Sequence, residues 1–170
     1  TKILKNDVKE LLWVIKPNFK GIPNIKTINI SKDHKDVFNF NLNDTFKVDY
    51  DIPKKYLYEP NAAIMKSGAF DLISDRYQIK KLHKHSHLYT SDELISFPGR
   101  QFIINKVTPF QKKYFKEFIT IEKANISIRN FPESVAFLRK RLRIKDGGNL
   151  FLFFTTTKEN KKIIVSCTKV

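Results

Sequence analysis

The residues best suited to chemistry lie near the end of the chain, where Arg129-Asn130-Phe131-Pro132 is followed by Leu138-Arg139-Lys140-Arg141-Leu142-Arg143-Ile144-Lys145-Asp146-Gly147-Gly148. Apolar residues recur at Phe131, Val135, Leu138 and Leu142. That spacing predicts a helix over 133–143 with one buried stripe, so its Arg and Lys side chains should face outward. A guanidinium presents a planar fork of donors that matches phosphate oxygens, and a row of such groups on an anchored helix is a footprint for a polyanion. The plainer reading is a solvated face that serves solubility. In the strand predicted over 124–129, alternation sends Ala124, Ile126 and Ile128 to a core and leaves Asn125, Ser127 and Arg129 on the other face, beside the helix. The candidate phosphate-binding set is therefore Arg129, Asn130, Arg139, Lys140, Arg141, Arg143 and Lys145. Asn125 and Ser127 would add polar contacts, and Lys80, Lys81 and Lys84 form a second basic patch.

His83, His85 and His87 form the one metal-like pattern, since alternate residues on a strand share a face and three imidazoles can hold zinc. Neighbouring residues of one strand rarely converge tetrahedrally, however, and no Cys or well-placed carboxylate completes the set. A surface loop or a structural hydrogen bond is the stronger expectation. Tyr56, Tyr58, Glu59 and Asn61 could position a substrate or stack a base; the simpler reading packs the aromatics and uses Asn61 as a helix cap. Asp146-Gly147-Gly148 reads as a helix stop, with Gly supplying the left-handed residue. No Ser-His-Asp, Cys-His or paired-carboxylate arrangement stands out, so no catalytic residue is assigned.

The elements that must carry these groups are partly legible. Residues 7–15 read as a helix capped by Asn6 or Asp7, or as a strand; the nearly continuous apolar run favours helix. Ile25 to Ile30 and Val37 to Leu42 alternate as a hairpin around the polar turn from Ser31 to Asp36. A helix is expected over 62–77, with Met65, Ala69, Leu72 and Ile73 on its buried side and Gly68 marking a close approach of another backbone. A short strand near 88–90 is followed by a strand over 102–107, a helix over 111–118 and, after the basic helix, a hairpin of 150–157 with 162–168. Leu150-Phe151-Leu152-Phe153-Phe154 is apolar on both faces, as a central strand covered on both sides would be. The fold class is α+β, a small mixed sheet with packed helices preceded by a helix-plus-hairpin segment. The expected division is 1–50 as that first segment, 51–97 as a helical connecting module and 98–170 as the final α+β domain.

With 170 residues, 41% of them hydrophobic and 15 Phe, the chain can bury one sizeable core or two small ones. Lys and Arg number 32 against 17 Asp and Glu, a formal charge of +15 that favours nucleic acid or an anionic membrane surface. No apolar run is long enough to cross a bilayer and no signal peptide opens the chain, so a cytoplasmic setting is expected. The single Cys167 lies in an alternating run and reads as a packed strand residue. Thr1 in place of Met makes a fragment of a longer protein the natural expectation.

Three motifs in order, YLYEPNAAIMKSGAF at 56–70, KLHKHSHLYTSDEL at 81–94 and RNFPESVAFLRKRLRIKDGG at 129–148, resemble the C-terminal region of a bacterial family of S-adenosylmethionine-dependent class I methyltransferases that end in a THUMP-like domain. The resemblance implies a THUMP-like fold of ferredoxin-like character over 98–170. It also implies an upstream methyltransferase domain in cis, S-adenosylmethionine as the parent's cofactor, and structured RNA as the partner, presented to that missing domain. His85 departs from the family pattern, which has His at the two outer positions. Residues 1–50 are similar to the last helix and hairpin of a class I methyltransferase sheet, or are an independent spacer. No Gly-rich turn able to cradle a nucleotide-like cofactor occurs among the 5 Gly, so no cofactor is expected to bind this stretch alone. The competing reading is a domain-docking or protein-interaction module without a nucleic-acid role.

Overall fold

A computed structural model describes residues 2–4, 7–30 and 35–170. Strands β1 (Lys2–Leu4), β2 (Asp7–Glu10), β3 (Asn24–Ile30) and β4 (Lys35–Asn41) form a sheet of order β2-β1-β3-β4. The β3–β4 hairpin is the one its alternation calls for, with Thr27 opposite Phe38. Asn6 and the turn residues 31–34 lie outside the described residues. The helix favoured for 7–15 is not formed: Asp7–Glu10 is a strand, and 11–16 have no regular structure. Leu11 to Ile15 are apolar at every position, so no stripe selects a helical face, and no packed surface supplies the tertiary support on which a short helix depends.

The larger sheet has seven strands. They are β5 (Tyr56–Pro60), β6 (Lys80–Lys81), β7 (Tyr89–Ser91), β8 (Gly99–Pro109), β9 (Asn125–Arg129), β10 (Leu150–Thr156) and β11 (Lys162–Lys169), in the order β6-β7-β5-β8-β11-β10-β9. Only β9 and β10 run parallel. The long β8 joins the halves, pairing with β5 through its first residues and with β11 through the remainder. The segment 51–97 thus carries three strands of this sheet besides its helices. As expected of a central strand, β10 is buried from Phe151 to Thr156 on both faces.

All helices pack on one face of the sheet. Over β5, helices α1 (Ala62–Ser67) and α2 (Phe70–Tyr77) enclose Tyr58, Ile64, Leu72, Ile73 and Tyr89, joined by Phe38 of the small sheet. The single helix expected over 62–77 is broken at Gly68, which caps α1 in the left-handed conformation at φ 76° and is exposed. Its role is conformational freedom, since an added Cβ would meet nothing within 4 Å. The close-approach glycine is Gly99, whose Cβ would run into the Glu59 carbonyl oxygen. Over β10, a 3-10 turn at Lys112–Tyr114, α3 (Lys116–Ile119) and α4 (Val135–Leu142) cover Leu138, Leu142, Leu152, Phe154 and Ile164.

The opposite face closes on itself. Leu57, Phe102, Phe151, Phe153, Val165 and Cys167 form its core, and Leu82 and Leu88 from the loop between β6 and β7 plug it. Closure is demonstrated by Arg129 Nη2 of β9 lying 2.5 Å from Glu59 Oε1 of β5. Those strands are four places apart, roughly 19 Å in a flat sheet. Only a strongly curled sheet brings them into contact. Among the described residues no helix is long and apolar enough to cross a membrane.

Candidate nucleic-acid interface

Helix α4 starts where Ser134 Oγ accepts a hydrogen bond from Phe137 N, and it buries Leu138 and Leu142 with Val135 and Phe131 partly covered, as the stripe requires. It stops at Arg143 itself, left-handed at φ 57°, and not at the glycines, which take positive φ in the turn beyond. The expectation that every basic side chain faces outward fails in part. Arg139 donates to the Ala124 and Ile144 carbonyls at 3.1 and 3.4 Å and pairs with Asp146, so it ties the helix end to β9. Arg141 lies over the rings of Phe115 and Phe137, 3.7 Å from Glu133. Arg129 is spent on Glu59, and Asn125 Nδ2 donates to the Gly148 and Leu150 carbonyls. Ser127 is half-buried on the same face. Lys140, Arg143 and Lys145 remain exposed, Lys145 in a loose pair with Glu122 at 3.9 Å.

The second patch is likewise divided. Lys81 is buried, donating to Asp71 at 2.9 Å and to the Lys84 carbonyl, while Lys80 faces Asp51 at 3.5 Å. Lys84 stands in solvent with no ion pair among the described residues.

What the fold brings together is the histidine loop and the Arg129-Asn130-Phe131-Pro132 turn, 47 residues apart in sequence. The three imidazoles do not share a strand face: residues 82–88 form a loop, and no metal-holding group of three occurs among the described residues. His83 Nδ1 accepts the His85 backbone N–H at 3.0 Å and lies 2.9 Å from Asn130 Nδ2. Accepting the backbone donor fixes Nδ1 as the unprotonated nitrogen. Burial holds the His83 pKa below its ordinary value, with an Asn160 hydrogen bond acting against the shift. His87 points elsewhere. It stacks on Phe70 with ring centres 3.5 Å apart, and burial followed by the charge of Lys81 lowers its pKa to about 4.

Asn130 is held at φ 51°, a conformation Asn tolerates better than most residues, while Thr156 Oγ1 donates to its carbonyl at 2.6 Å. Across from it, the β10–β11 hairpin closes with Asn160 N donating to the Thr157 carbonyl at 2.9 Å and Asn160 left-handed at φ 61°. Between these turns lies an open groove of 780 Å³, walled by His83, Asn130, Phe131, Asn160 and Thr156 and rimmed by Lys84 and Lys162. A smaller cavity of 330 Å³ continues from His83 past Tyr50 to Lys158. The three rim lysines are exposed and make no ion pair among the described residues. The arrangement offers exposed cations for phosphate around amide and imidazole groups, with Phe131 for an apolar contact. Sequence reasoning named His83, Lys84 and Asn130 for separate roles and gave none to Lys158, Asn160 or Lys162. The available signal was Asn at the end of a Lys-Glu-Asn turn, which marks a left-handed residue and not a partner 77 positions away.

Comparison with known proteins accords with this architecture. Residues 56–98 match a family model described as a ferredoxin-like domain, and residues 99–169 match one described as THUMP domain-like. No curated protein matches the sequence significantly. Among solved structures, a "putative methyltransferase" from Porphyromonas gingivalis W83 is 36% identical, superposes with a TM-score of 0.92 and is matched over 99% of this chain. This chain spans 44% of the length of that one. By its matched domains the chain belongs with proteins in which a ferredoxin-like domain is followed by a THUMP domain-like one, and it shares the fold of the matched part of that putative methyltransferase.

Proposed function

We propose that the chain is the RNA-binding part of an S-adenosylmethionine-dependent RNA methyltransferase, presenting structured RNA to a catalytic domain elsewhere in a longer polypeptide. The observation that carries this reading is the groove at His83, Asn130 and Asn160, where Lys84, Lys158 and Lys162, which make no ion pair among the described residues, surround fixed hydrogen-bonding groups in a THUMP-like fold. A volume of 780 Å³ is that of a small-ligand pocket, so in this reading a helical stem would lie across the rim lysines while an unpaired nucleotide enters. Lys140, Arg143 and Lys145 lie toward the other end of β9, where Lys145 bridges to Lys123, and would be reached by an RNA backbone that runs the length of that strand. Phosphate contacts of this kind supply affinity and register and leave base identity unread. S-adenosylmethionine would bind the catalytic domain, the Gly-rich cradle being absent from these 170 residues.

Polarisation titrations of the chain with a labelled RNA hairpin bearing a single-stranded end test the proposal, with calorimetry against S-adenosylmethionine beside them. Submicromolar to micromolar RNA binding at low salt without cofactor binding is expected. RNA binding undetectable at low ionic strength would overturn it in favour of a docking module.

A further inference from the structure

Among the described residues the most exposed apolar feature is the run Leu11-Leu12-Trp13-Val14-Ile15, whose five side chains are between 57% and 86% exposed. Phe19 and Ile22 follow at 57% and 56%. Contiguous apolar surface of this kind is rare on a free-standing domain and marks an interaction site. The run leaves the small sheet after β2, has no regular structure, and contributes nothing to the groove. A second copy of this chain is a poor occupant, because each copy brings a formal charge of +15. The solved relative supplies a better one. It matches 99% of this chain, so the apolar run lies inside the shared fold, yet more than half of its own length lies beyond the match.

We propose that Leu11 to Ile15 dock onto an apolar surface of the methyltransferase domain carried by the remainder of a longer polypeptide, fixing the groove relative to the reaction centre. This rests on the reading of the chain as the THUMP-like part of such an enzyme. Inter-domain contacts within one polypeptide are built from patches of this sort, and a single covered segment of five large side chains suffices to orient two domains that the chain already tethers.

Hydrogen exchange followed by mass spectrometry on peptides covering 10–16 provides the test, run on the 170-residue chain and on the longer protein. Exchange in the longer protein should be slower by at least about tenfold, and Trp13→Asp should restore the fast rate there while leaving RNA affinity of the 170-residue chain unchanged. Trp13 is the only tryptophan, so iodide quenching reports its exposure in the chain without a variant. Equal exchange rates in the two proteins would overturn the docking proposal and leave the RNA reading standing. Protection that appears in the 170-residue chain, rises with its concentration and vanishes with Trp13→Asp would make a second copy the occupant and overturn it as well. A natural polypeptide of only about 20 kDa would remove the parent enzyme itself, a failure of the underlying reading distinguishable by mass alone.

Discussion

Gly68 and Gly99 occupy opposite ends of what a glycine can do. Gly68 has open space around it and needs only its left-handed φ, so Gly68→Ala is expected to cost about 1 kcal/mol in a denaturant titration. Gly99 lets β8 pass the Glu59 carbonyl, and Gly99→Ala must push two strands apart; a loss at least twice as large is expected in the same measurement. The sequence pointed to Gly68 for close approach because helical periodicity placed it on a buried face. Periodicity carries no information on which backbone lies opposite. His87 provides a pH signature. Its pKa falls from an unfolded value near 6.5 to about 4, so its contribution is complete above 6.5 and is lost as pH falls toward 4. His87→Asn, which suits φ 52°, should flatten the decline in melting temperature between those pH values, leaving the smaller part due to His83.

Local pattern was sufficient where an element buries one face. The β3–β4 hairpin, β9 and the α4 stripe follow from alternation or a 3.6-residue period, while β10, buried on both faces, was legible as a short apolar run closed by a turn. Pattern failed at 11–15, which is apolar on every side, and it was silent on curl. Glu59 illustrates the second failure. Its carboxylate, 3% exposed, takes Arg100 from the neighbouring strand, with Nε 2.6 Å away, and Arg129 from a strand four places distant. Pairing of the adjacent strands β5 and β8, which sets Glu59 opposite Arg100, explains the first partner, and only the closed sheet explains the second. Because both guanidiniums are partly exposed, Glu59→Gln is expected to cost about 3 kcal/mol, the lower end of the range for breaking a buried pair, with the loss read from chemical denaturation. Wild-type stability in that variant would mean that the ion pairs do not hold the sheet ends together.

At the scale of the whole molecule, a formal charge of +15 guarantees some attraction to any polyanion, so affinity alone cannot identify a site. The three motifs carried the family resemblance, and the fold and matched domains agree with it. The groove was not legible in them, because two of its three rim lysines, Lys158 and Lys162, come from the β10–β11 hairpin outside every motif. The most direct measurement compares the salt dependence of RNA binding for the wild type, the groove triple Lys84→Gln, Lys158→Gln, Lys162→Gln, and the helix-end triple Lys140→Gln, Arg143→Gln, Lys145→Gln. For about 4 to 6 phosphate contacts the wild-type slope of log affinity against log salt should be about −3 to −5. The groove triple should make it shallower by about two units with the melting temperature nearly unchanged, a larger effect than that of the helix-end triple. Equal losses from the two triples would show that net charge alone holds RNA, and a groove triple that binds like the wild type would contradict the site.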